Sequence, residues 1–163
     1  MLIKIESIYD ILSLITLVAN IYIICSMNLY LIIGMLFCVY IHNICKDLTK
    51  GSDIKFLKRP DGAYNCDLFN TGGNVENNSG FPSGHVTSIS YLMNYLYIKE
   101  KNKSWKRWFM YHLPIMMVGV SRVGKGCHNM IQVFAGYLLG WLGAKIITKI
   151  EKMNVKENNK ICL

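Results

Sequence analysis

The longest apolar pattern runs from Ile11 to Cys45 without a single Asp, Glu, Lys or Arg. One straight helix of that length would be about 52 Å long, against a hydrocarbon core of about 30 Å. The run must therefore fold back, and Met27-Asn28 at its middle offers the best local turn. Two short spans are predicted, 8–26 and 29–46. Both lie near the lower length limit, which favours a thin bilayer such as the endoplasmic reticulum or another internal membrane. The pattern then breaks. From Asp61 to Phe81 the chain is rich in Gly and Asn, so 50–81 is expected to be a long functional loop. Further apolar stretches predict spans at 82–98, 108–121 and 128–147, with a basic hairpin at 99–107 and a basic tail. There are no internal repeats. The expectation is an all-α integral membrane bundle of about five transmembrane helices in one domain, 1–163.

Composition agrees with a membrane bundle carrying polar loops. Apolar residues make up 52% and the mean hydropathy is +0.27. The net charge of +8 would suggest nucleic acid in a soluble protein. Here the basic residues flank apolar runs, which points to membrane surfaces and excludes a nucleic-acid partner. Ten of the 18 Lys and Arg fall on the side of the hairpin and tail. That bias places those segments in the cytoplasm and the polar loops outside or in a lumen. The six cysteines form no CxxC pair, so no zinc site is expected. Cys162 is second from the end, so no prenylation signal is read. No cleavable leader is evident before the first span.

Three polar clusters fall on the loop side. Lys58-Arg59-Pro60 has Lys50 and Lys55 nearby, Pro82-Ser83-Gly84-His85 opens the third span, and Ser121-Arg122 precedes His128 and Gln132. Phosphoryl transfer without a metal needs fixed cations and donors around the phosphate. Arg59 and Arg122 can each grip two oxygens with a planar fork. Ser83 adds a hydroxyl, and Gly84 lets a backbone N–H approach an anion at a helix start. Two imidazoles can divide the labour, His128 as nucleophile and His85 as acid. His128 and Gln132 are four apart and share one helix face, so Gln132 can accept the ring N–H of His128. Gly136 and Gly140 continue that face and favour close packing into the bundle. His42 and His112 read as capping or interfacial residues.

At these residues the chain resembles the type 2 phosphatidic acid phosphatase superfamily, whose motifs are Lys-x6-Arg-Pro, Pro-Ser-Gly-His and Ser-Arg-x5-His-x3-Asp. The likeness spans roughly 50–143. It implies hydrolysis of a lipid phosphate or diphosphate at the bilayer, with no cofactor and no metal. In that scheme His128 forms a phosphohistidine, His85 is the acid, and Arg59, Ser83, Gly84, Ser121 and Arg122 hold phosphate. The chain departs from the pattern in three ways. Ser52 stands where the first motif has lysine, leaving Lys50, Lys55 or Lys58 to substitute. Gln132 replaces the last Asp, and members commonly have six spans. The dolichyl diphosphatase-like branch shares His-x3-Gln-Val-x2-Gly, matched at His128, Gln132, Val133 and Gly136. A polyprenyl or dolichyl diphosphate is therefore the favoured substrate. The alternatives are phosphatidate-type lipid phosphates and a catalytically weak lipid-phosphate-binding protein. A vanadate-dependent oxidase ranks last. Convergence of the clusters on one phosphate should also bring Cys66 and Cys127 within roughly 10 Å, as a disulfide or as two packed thiols.

Overall fold

The computed structural model describes residues 5, 7–69 and 71–161, and of 156–161 the backbone alone. Cys162 and the Lys156 and Lys160 side chains counted in the basic tail lie outside this description. Among the described residues the chain forms five helices: α1 (Ile8–Cys25), α2 (Leu29–Thr49), α3 (Gly84–Lys99), α4 (Trp105–Gly124) and α5 (Met130–Ile161). The expected turn at Met27-Asn28 is present. Met27 adopts φ 51°, and the Asn28 side chain caps α2 by accepting from Leu31 N at 3.1 Å.

Three segments are long and apolar enough to cross a membrane: α1, α2 and Met130–Val155 of α5, with mean hydropathies of 2.0, 1.6 and 1.5. Their outer faces carry exposed Val18, Leu36, Phe134 and Leu142, side chains that water would penalise and a bilayer accepts. The chain is an integral membrane protein. The other two helices fall short for different reasons. α3 has 16 residues and packs against every other helix. Enclosed by protein, it can carry buried Thr87, Ser88, Ser90, Tyr91 and Asn94 and has no need of an apolar surface. α4 starts at Trp105, inside the basic hairpin, because Ser104 caps it through Arg107 N. It therefore holds Lys106, Arg107 and Arg122, which lower its hydropathy.

The α3–α5 contact is the closest in the bundle. A Cβ on Gly136 would come 2.6 Å from Ser83 O, and one on Gly140 would come 2.5 Å from Thr87 O. The glycine face read from the sequence therefore sets the start of α5 directly against the start of α3. At the opposite end Lys99 bonds Glu151 and Tyr95, and Arg107 pairs with Glu100.

The described residues of the 50–81 loop pair with one another. Lys58 bridges Ser79 and Tyr64 bridges Asn74 in antiparallel register. Asn65, at φ 50°, and Gly73, at φ 67°, make its sharp reversals. Ala63, Cys66, Cys127 and Val75 form a small core of its own. Cys66 and Cys127 are joined as a disulfide, with Cα atoms 5.5 Å apart. The bond closes a separation of 61 residues, and the entropy removed from the unfolded chain grows with such length. Reduction is expected to lower stability by about 2–4 kcal/mol, read as a fall in thermal midpoint with reductant that Cys66→Ser reproduces.

Candidate active site

The three clusters meet at one end of the bundle, around a cavity of about 290 Å³ lined by His42, Lys46, Arg59, Gly84, His85 and His128, among others. Each arrives from a different element. Arg59 comes from the 50–81 loop, held by its backbone N–H donating to Asn78 O at 2.9 Å. His85 stands in the first turn of α3. That turn is tied to α5 by Ser83 N donating to Gln132 O at 3.0 Å.

His128 lies two residues before α5 rather than in its first turn, where the sequence placed it. Asn129 is the reason: its Oδ1 accepts from Gln132 N at 3.0 Å and starts the helix after it. The expected partnership survives, because His128 Nδ1 lies 3.0 Å from Gln132 Oε1. The direction of that bond follows from its surroundings. Gln132 Nε2 donates to Phe56 O at 3.0 Å and Lys58 O at 2.7 Å, so the amide oxygen must face the imidazole. On the far side of the ring, Arg59 Nη1 sits 3.4 Å from Nε2. Guanidinium can only donate. Both neighbours therefore assign the proton to Nδ1 and the free lone pair to Nε2, facing the cavity. Burial, followed by the nearby Arg59 and Arg122, holds this imidazole well below its ordinary range, so it is neutral at pH 7.

Arg122 is fully buried. It donates from Nη1 to Ser13 Oγ at 3.1 Å and from Nη2 to Cys66 O at 2.7 Å. Arg59 Nη1 also donates to Cys127 O at 3.0 Å. Both guanidinium groups are thus anchored by the disulfide-linked segments. Several buried polar atoms have no partner among the described residues: Ser83 Oγ, His85 Nε2, Arg122 Nε and His42 Nδ1. Buried polar atoms are rarely left so; of these residues His42 and His85 line the cavity, where a bound ligand would satisfy them.

Not every residue singled out in the sequence is brought to this cavity. Lys58 pairs with Asp53 at 3.1 Å. Lys55 lines a separate groove with Phe56, Lys58, Arg59 and Pro60. Ser121 Oγ donates to Val118 O at 2.7 Å and meets Ser13 Oγ at 3.3 Å, which makes it a support beneath Arg122. Gly84 is near the cavity, and a Cβ there would come 3.0 Å from the His42 ring. The sequence reading missed four contributors. Lys46 and His42, from α2, line the cavity. Ser13 holds Arg122, and Asp10 pairs with Lys125, pinning the start of α1 to the end of α4. The spacing of His42 and Lys46, four apart at the loop end of a span, was an available signal for α2. Nothing in the local sequence marks Ser13 or Asp10.

Among the described residues no three His, Cys, Asp or Glu side chains gather as metal ligands. Residues 28–156 match the family model described as the PAP2 superfamily. Neither a curated protein nor a solved structure matches the chain.

Proposed function

The chain belongs to the PAP2 superfamily, and from that premise we propose that it hydrolyses a lipid phosphate or lipid pyrophosphate through a phosphohistidine on His128, without a metal. Membership supports a phosphatase-type hydrolase acting on a lipid substrate at the bilayer. The observation that carries the finer reading is the tautomer of His128 set by Gln132 and Arg59, at a cavity that Lys46 and Arg59 line together with Asp67. In the first step Nε2 bonds to phosphorus. The bond from phosphorus to the lipid-side oxygen breaks, and His85 gives that oxygen a proton. The imidazolium formed on His128 keeps its Nδ1–H on Gln132. Arg59 turns from the ring to the phosphate oxygens, joined by Arg122 Nε and Ser83 Oγ. In the second step His85, now neutral, takes a proton from water, whose oxygen bonds to phosphorus as the P–N bond breaks. Inorganic phosphate leaves.

A polyprenyl or dolichyl diphosphate is the favoured substrate, on the branch pattern His128-x3-Gln132-Val133-x2-Gly136. The anchoring of Gln132 by two backbone carbonyls supports an active site built around an amide over a decayed one. The whole chain acts as one domain, and all five helices cross the bilayer. α3 does so inside the bundle, and α4 with its charged ends at the two surfaces. The site faces the lumen of the endoplasmic reticulum or another internal compartment.

Purified protein should release phosphate from such lipids in the presence of EDTA, because the charged groups that hold the reacting phosphate are arginines. Vanadate should inhibit, since it mimics five-coordinate phosphorus. His85→Ala should lower kcat by about 10²–10⁴-fold, the usual worth of a positioned acid. A result within tenfold of wild type would remove His85 from the proton path. Topology has its own test. Asn77-Asn78-Ser79 lies on the site side and Asn102-Lys103-Ser104 on the other. A longer sequon-bearing insert in the 70s loop should be glycosylated and one in the 99–107 hairpin should not. The reverse pattern would invert the orientation.

A further inference from the structure

The α2 wall of the cavity is unexplained by the reaction as written. His42 and Lys46 are one helical turn apart on α2, and both line the cavity together with His85 and His128. Lys46 is half-buried and has no ion pair or hydrogen bond among the described residues. His42 Nδ1 is buried without a partner. The His42 ring lies against Gly84, so close that a Cβ there would be 3.0 Å from it. These groups sit beside the first turn of α3, whose free N–H groups favour an anion. The cavity, at about 290 Å³, far exceeds the ~10–15 Å³ that one water occupies by this measure, so it has room for more than one phosphate. It also adjoins a cleft between α1, α2 and α3 that shares His42, Gly84 and His85.

We propose that His42 and Lys46 form a second anion subsite, which binds the leaving phosphate of a lipid diphosphate. The proposal rests on the hydrolase reading above and narrows it to diphosphates. When Nε2 of His128 bonds to the terminal phosphorus of a diphosphate, the bond to the bridging oxygen breaks. Its electron pair goes to that oxygen, and the proton comes from His85. The leaving group is then a lipid monophosphate, still anionic, and it needs a cation on its own side. A monophosphate substrate would leave as a neutral alcohol, for which an unpaired ammonium at Lys46 does nothing. Half-buried Lys46 shares the cavity with Arg59 and Asp67; drawing a cation out of water without a bonded partner is costly, and the leaving phosphate of a diphosphate supplies that partner.

The test compares farnesyl diphosphate with farnesyl monophosphate, on wild type and on Lys46→Gln, Lys46→Arg and His42→Gln. Lys46→Gln should lose about 30-fold or more in kcat/KM on the diphosphate and less than about threefold on the monophosphate. Lys46→Arg keeps the charge and should recover most of the diphosphate rate, which separates charge from folding. His42→Gln should share the selective loss in smaller measure. Equal losses on both lipids would overturn the proposal and place Lys46 on the reacting phosphate. Unchanged rates would overturn it outright. If wild type hydrolyses neither lipid, the hydrolase reading fails, and binding decides the subsite. Wild type in micelles should bind the diphosphate more tightly than the monophosphate, and Lys46→Gln should erase the difference. Equal wild-type affinities would sink it.

Discussion

Replacing His128 by alanine is expected to abolish phosphate release, with a loss of at least about 10⁴-fold in kcat. The estimate follows from the role. Remaining groups can still bind and polarise a phosphate, but nothing else in the cavity presents an unprotonated nitrogen with its tautomer fixed from both sides. Arg59 would lose a neighbour and gain freedom to bind the anion, so substrate affinity should hold or improve while turnover fails. The fold should survive, since Cys127 keeps its bond to Cys66 and Asn129 still starts α5. Steady-state kinetics and a thermal melt on the same sample read both. Retention of more than a few per cent of wild-type activity would show that the nucleophile lies elsewhere.

Gln132→Asp should lower kcat by about 100-fold, although it restores the residue usual at that place in the third motif. The amide is fully buried and uses both ends. Its oxygen accepts from His128, and its nitrogen donates to Phe56 O and Lys58 O. An Asp has no N–H to offer those carbonyls, and its charge would be buried against them at a cost of several kcal/mol unless it protonates. It is also shorter by one methylene, so it would stand away from the imidazole. Gly80 completes the fit, since a Cβ there would meet the Gln132 oxygen at 2.5 Å. The expected kinetic signature is a fall in kcat with KM little changed, because the lost bond steadies His128 chiefly while the ring carries charge. A several-fold gain would mean that Gln132 is a lesion.

The sequence made the site legible where chemistry is packed into short motifs. Pro82 to His85, Ser121-Arg122 and His128 could be read because their spacing is local and intramembrane charge is costly. The hairpin at Met27-Asn28 and the α3–α5 glycine contact could be read because a charge-free run and a four-residue repeat are geometric constraints. Convergence of Cys66 and Cys127 followed from requiring two segments to share one anion. What escaped was set by tertiary contact. Lys46 reaches the cavity from α2, which continues to Thr49, so a lysine outside the motif's spacing lines it while Lys58 turns to Asp53. Ser13 supports Arg122 across 109 positions of chain. The place of α3 in the bundle is hidden from hydropathy because the other four helices pack around it and it carries buried polar side chains.

The central claim is that phosphate passes through a covalent bond to His128. The direct measurement is rapid mixing of enzyme with a lipid diphosphate radiolabelled at the terminal phosphorus, followed by an alkaline quench and peptide mapping. The account predicts label on the peptide containing Cys127-His128-Asn129, stable to alkali and lost in acid, appearing no later than free phosphate and absent from His128→Ala. Product formed with no label on the protein, or label carried by any other residue, would contradict it.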